Sequence, residues 1–197
     1  MFKFSSFVCR LGLLFKLSRL ALICSLLLST TLSSQNQVFD FGIEFQAYPT
    51  GLIPGLRLEK GFAEQHAVHL RLGYNWLRHQ GYGVHEDERG GGLGFTLGYK
   101  YYFKEGFERW FLGVKNDIWW NEVDWKDQLG TANEISGTSN ITVVQPTLEA
   151  GFTLMAGENW TFSPSLAFGY EVNVKTKGAP TGEGPIVLLG FTFGKRW

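Results

Sequence analysis

The feature that most constrains this chain is an apolar alternation of period two that runs through most of its length. It is clearest in the last stretch, Pro185–Trp197. Val187, Leu189, Phe191 and Phe193 stand two apart there, with Gly190, Thr192 and Gly194 between them. A strand sends successive side chains to opposite faces, so one face is apolar and the other small and polar. Beyond the N-terminal segment no stretch shows the period of an amphipathic helix, and the class expected is all-β.

Seven earlier strands follow from the same reading. Phe39, Phe41, Ile43 and Phe45 share a face in the first, and Leu56, Leu58 and Phe62 do so in the second. Val68, Leu70, Leu72, Tyr74 and Trp76 mark the third; Leu93, Phe95, Leu97, Tyr99, Tyr101 and Phe103 the fourth. Trp110, Leu112, Val114, Ile118 and Trp120 mark the fifth, with Asn116 interrupting the apolar face. Val144, Pro146, Leu148, Ala150, Phe152 and Leu154 define the sixth, and Trp160, Phe162, Leu166, Phe168, Tyr170 and Val172 the seventh. Proline cannot donate to a ladder, so a bulge is expected at Pro146. After a short first connection, the links alternate between tight turns and long polar stretches, the latter at 79–91, 126–140 and 175–184.

The N-terminal segment reads as a cleaved secretory signal over residues 1–34, leaving a single domain over 35–197. Lys3, Arg10, Lys16 and Arg19 precede or enter an apolar run at Leu20–Leu28, and small residues follow through Ser34. A membrane-spanning helix needs about 20 apolar residues, and Lys16 and Arg19 interrupt any such run. The segment holds four of the 18 basic residues and no acid, so 14 basic residues face 18 acidic ones in the remainder, a net of −4. That balance argues against a nucleic-acid partner. Both cysteines, Cys9 and Cys24, lie in the segment, which leaves the remainder without a disulfide framework or thiolate chemistry.

Two closed barrels satisfy the alternation: a soluble one with its apolar face inward around a ligand, and a transmembrane one with that face toward lipid. The aromatics decide for lipid. Trp110, Trp160, Phe193 and Trp197 fall near one end of the strands, Tyr74, Trp76 and Trp120 near the other, and aliphatic residues such as Ile43, Leu97 and Leu148 lie between. Two aromatic girdles around an aliphatic band are the exterior of a membrane barrel. On these girdles, the aromatic residue closing the last strand and the loop asymmetry, the chain resembles the small eight-stranded outer-membrane barrels of OmpA or OmpX type. The resemblance implies an eight-stranded antiparallel up-and-down transmembrane β-barrel in the bacterial outer membrane. It also implies a monomer in contact with outer-membrane lipid, inserted by the general barrel-assembly machinery.

The face opposite the lipid would line a narrow lumen. It carries Asp40, Glu44, Glu59, Asp117, Glu149 and Glu171 against Arg57, Arg71, Lys100 and Lys115, with His69 among them. In so narrow an interior these groups are expected to form an ion-pair network that plugs the barrel; the alternative is a narrow small-solute or ion pore. His85-Glu86-Asp87-Glu88 is expected to be a solvated acidic loop tip, since consecutive loop residues rarely converge on one metal ion. A lipid-modifying enzyme is the rival class. Lipid A deacylases of this architecture use a His-x-Ser pair, which no histidine here provides: Val68, Arg71, Gly81 and Asp87 lie two residues after His66, His69, His79 and His85. No catalytic residue, metal or cofactor is therefore assigned. The expected role is structural or surface-interacting, with any extracellular ligand held by the long loops.

Overall fold

The computed structural model describes residues 38–81 and 83–197; the expected signal segment lies outside them. The chain forms eight antiparallel strands, β1 (Phe39–Tyr48), β2 (Gly51–Ala63), β3 (His66–Gln80), β4 (Asp87–Lys104), β5 (Glu108–Asp127), β6 (Ile135–Ala156), β7 (Trp160–Lys177) and β8 (Gly184–Arg196). Each pairs with the next, and β8 returns to pair with β1 from Asp40↔Arg196 to Ala47↔Leu189, so the barrel closes. Closure removes every sheet edge at that level, the main hazard of exposed strands. Backbone bonds between Phe39 and Trp197 (3.1 and 2.8 Å) extend the seam by one pair.

Alternation resolves into an inside and an outside. Leu56, Leu72, Leu93, Leu97, Trp110 and Leu148 are more than half exposed on the exterior, while Arg71, Asp117, Thr96 and His69 are fully buried within. A soluble protein rarely exposes so continuous an apolar belt.

The connections are shorter than the sequence suggests. The stretches expected as loops at 79–91, 126–140 and 175–184 contract to 81–86, 128–134 and 178–183, because the ladders continue through them. Trp76↔Gly91 at the outer girdle is followed by further pairs up to Gln80↔Asp87, and β5 stays paired with β6 to Asp127↔Ile135. Main-chain hydrogen bonds sustain these extensions where side-chain alternation has faded. The bulge expected at Pro146 lies instead at Thr142/Val143. Pro146 keeps its partner Asn116 in β5, and the β6–β7 ladder passes it by, running from Val144↔Val172 to Thr147↔Gly169. The missing proline donor thus falls in a gap between pairs.

Candidate functional site

The lumen is filled in three layers. The middle one is ionic. Arg71 donates to Glu44 Oε1 (3.0 Å), Gln46 Oε1 (2.6 Å), Asp117 Oδ1 (2.8 Å) and Thr96 Oγ1 (2.9 Å), and so ties β1, β3, β4 and β5 together. Lys115 lies 2.9 Å from Glu149 and 3.5 Å from Glu44, and His69 Nε2 lies 3.2 Å from Glu44 Oε2. Nearer the tight turns, Arg57 pairs with Asp40 and with Glu59 (3.0 Å), and Glu59 also takes Lys100 (2.9 Å) and the Tyr102 hydroxyl (2.5 Å). Ten of the eleven lumen residues read from the sequence sit in this layer: Asp40, Glu44, Arg57, Glu59, His69, Arg71, Lys100, Lys115, Asp117 and Glu149; Glu171 stands apart at the loop end, opposite Gly184. The period of two puts them there, and the strand register makes their charges meet.

Arg196 belongs with them, and sequence reasoning stopped short of it. Its guanidinium reaches across the barrel floor to the carbonyls of Gly106 (2.8 Å) and Phe107 (3.0 Å) and lies 3.5 Å from Asp40. With it, Arg57, Arg71, Lys100, Lys115 and Arg196 balance Asp40, Glu44, Glu59, Asp117 and Glu149. Buried charges persist only when compensated in this way.

Apolar layers lie on both sides. Toward the loops, Ile53, Leu77, Trp119, Val123, Ile141, Val143, Ala167, Ile186 and Leu188 form one cluster; toward the turns, Ala67, Tyr102, Phe107 and Phe111 form another. The inward face is therefore less small and polar than the strand-by-strand reading suggests. Parity with Lys115 and Asp117 already puts Phe111 and Trp119 inside, a signal masked by the flanking outward Trp110, Leu112 and Trp120. Inward glycines make the room: a Cβ on Gly94 would collide with the Trp119 indole, and one on Gly61 with the Phe107 ring. The inner face of β8 contributes Ile186 and Leu188 to the upper cluster, which explains why that strand carries no lumen charge before Arg196.

At the loop end, His85 is the junction. Its ring stacks on Trp125 (4.2 Å between centroids) and places Nδ1 2.7 Å from Asp127 Oδ2 and Nε2 3.0 Å from the Pro180 carbonyl. A carboxylate and a carbonyl thus hold the ring at its two nitrogens. The Glu86 N–H donates to Asp127 (3.0 Å), and the Glu86 carboxylate accepts from the Leu129 N–H (2.9 Å). Segments 81–86, 128–134 and 178–183 are thereby stitched together. The acidic tip expected at His85–Glu88 is thus solvated only at Glu86: Glu88 is 1% exposed and accepts from the N–H groups of Val84 and His85 and from His79 (2.9 Å). Burial opposes the ionised form of Glu88, but the His79 hydrogen bond and the His85 N–H outweigh it and keep the carboxyl below its ordinary range. The His85 hydrogen bond does the same for Asp127, helped by the Glu86 N–H. Beside this junction, a cleft of about 520 Å³ opens between Gly83, Val84, Asn173, Thr181 and Glu183.

The girdle aromatics stand on the outer face. Trp160 stacks on Phe193 (5.0 Å) and Trp110 packs edge-on against Phe152 (5.1 Å) near the turns. Tyr74 packs on Trp76 (5.5 Å), and Trp120 on Phe95 (6.0 Å), toward the loops. Trp197 is 61% exposed at the seam.

The model of a family described as "Protein of unknown function (DUF3575)" matches residues 20–181. The chain belongs to the DUF3575 family. No curated protein matches this DUF3575 member. Among solved structures it is similar to the N-terminal β-barrel domain of Pseudomonas aeruginosa OprF, at 16% identity over 83% of this chain and 98% of that one, with a TM-score of 0.46. It is similar to Ail, the attachment invasion locus protein of Yersinia pestis, solved with the heparin analogue sucrose octasulfate (12% identity, 82% and 97% covered, TM-score 0.45). A third is Neisserial surface protein A (11%, 81% and 94%, TM-score 0.43).

Proposed function

We propose that this DUF3575 barrel is a non-enzymatic protein of the bacterial outer membrane that acts through its exterior loops and does not conduct through its lumen. One observation carries the reading: the charge-balanced layer around Arg71 and Glu44 lies between two apolar layers, with Trp119 on one side and Phe111 on the other. A conducting pore needs a continuous polar path, and these side chains close it. What remains for recognition is the rigid junction around His85 and the adjoining cleft, whose size suits a small ligand or a short loop of a partner. On this reading the signal segment is removed near Ser34, the barrel-assembly machinery inserts the chain, and the barrel is monomeric.

Outer-membrane fractionation, the gel shift of detergent-folded protein on heating, and planar-bilayer recording test the proposal together. Expected are an outer-membrane location, a heat-dependent shift and no single-channel openings at any voltage. Regular openings would overturn the sealed lumen, and a soluble protein without a heat shift would overturn the membrane reading. Release of acyl chains from lipid A by the purified protein, read by mass spectrometry, would overturn the non-enzymatic assignment.

A further inference from the structure

On the outer face, near the tight turns, two lysines interrupt the aromatic girdle. Lys60 on β2 lies directly beside Phe39, and Lys195 on β8 lies between Phe41 of β1 and Trp160 of β7. Both ammonium groups lean toward the same place. Lys60 Nζ stands 5.1 Å from the centre of the Phe39 ring and Lys195 Nζ 5.6 Å from that of Trp197. Phe39 and Trp197 are bound to each other through both backbone N–H groups (3.1 and 2.8 Å), so the two side chains leave one backbone pair on the outer face, each with a lysine ammonium against its ring. Across β1, strands β2 and β8 are about 10 Å apart, which two lysine stems can span from opposite sides.

Among the described residues neither ammonium forms an ion pair, as is also true of Lys175 and Lys177 at the loop end, whereas Lys100, Lys104, Lys115 and Lys126 all do. Two cations in an otherwise apolar girdle stand at headgroup depth, where an anion from outside the chain can compensate them. At this depth the available anion is a lipid phosphate, with the two rings meeting the glycerol and upper acyl carbons beneath it. We propose that Lys60 and Lys195, over Phe39 and Trp197, form a binding site for the phosphodiester of an anionic phospholipid in the leaflet nearer the tight turns. The inference rests on the membrane reading given above, and it adds a preference among lipids that a merely apolar belt would lack.

The test uses the full barrel folded in detergent, with phosphatidylglycerol or phosphatidylcholine added and retained lipid counted by native mass spectrometry. Each lysine near an anionic headgroup contributes roughly fivefold in affinity. Wild type should therefore retain phosphatidylglycerol at least fivefold better than phosphatidylcholine. The K60Q/K195Q variant should lose that preference and K60R/K195R should keep it. The K175Q/K177Q variant, with the same charge change at the opposite end, should behave as wild type. Equal retention of the two lipids by wild type would overturn the site even if the variants failed to fold, and so would a preference that survives K60Q/K195Q or vanishes in K175Q/K177Q. The gel shift on heating in neutral vesicles separates the two levels. A barrel that shifts but shows no lipid preference refutes this site alone; one that never shifts refutes the membrane reading and the site with it.

Discussion

Replacing Arg71 by methionine removes the one group that joins Glu44, Gln46, Asp117 and Thr96. Breaking a buried ion pair from one side costs about 3–5 kcal/mol, because the abandoned charge has no solvent. Here the two carboxylates lose unequally. Glu44 keeps Lys115 at 3.5 Å and His69 at 3.2 Å, whereas Asp117 retains only the Thr96 hydroxyl. The low end of the range, about 3 kcal/mol, is therefore expected for R71M. Urea titration of the barrel in vesicles, followed by unheated gel mobility, should show a midpoint lower by about 1–3 M. Neutralising the stranded acid as well, in R71M/D117N, should recover about half of the loss. A shift below about 0.5 kcal/mol for R71M would refute the claim that the ionic layer is a load-carrying plug. A double variant no more stable than the single one would refute the assignment of the cost to Asp117.

Three further outcomes follow from the same geometry. Trp119→Ala should cost about 3–5 kcal/mol in the same titration, since it empties the largest side chain of the upper apolar layer; a neutral result would mean that layer is not packed. Asp127 has a lowered carboxyl pKa in the folded chain, so its contribution to the loop junction is complete above the unfolded value of about 3.9 and is lost as pH falls through the lower folded value. Amide exchange at Glu86, whose N–H donates to Asp127, should accelerate on acidification below pH about 4 after correction for the intrinsic rate, and H85A should weaken that dependence. Deleting Trp197 should reduce the amount of barrel in the membrane fraction, because it removes a pair from the β1–β8 seam; unchanged levels would count against that seam's importance.

The legible part of this fold is the part that side chains determine. Strand number, closure direction and the identity of the lumen charges all follow from alternation, which a lipid exterior and a polar interior impose at every second residue. Above the outer girdle the outer face meets water instead of lipid while the inner face buries polar groups such as Glu88 and Ser139, so an apolar alternation has no physical cause. Ile135–Asn140 and Asp87–Gly91 therefore read as loop, although their backbones remain in the ladder. The inward Phe111 and Trp119 were legible by parity yet hidden among outward aromatics. The Arg196 bond to Phe107 links residues 89 positions apart and depends on the positive φ of that turn residue (59°), which alternation does not encode. His85 was visible as a residue but not as a junction. Its partners Trp125, Asp127 and Pro180 come together only through closure of the barrel and the meeting of its loops.

The most direct measurement concerns which way the faces point. Cys9 and Cys24 are the two cysteines of the sequence and none follows them, so in the chain from residue 35 onward single cysteines can be placed along β6 and labelled with an environment-sensitive fluorophore in vesicles. Spin-labelled lipid should quench probes at positions 148 and 150, in place of Leu148 and Ala150, and spare those at 147 and 149, in place of Thr147 and Glu149. Quenching at 147 and 149 instead, or no alternation at all, would contradict a barrel with lipid outside and a sealed ionic lumen within.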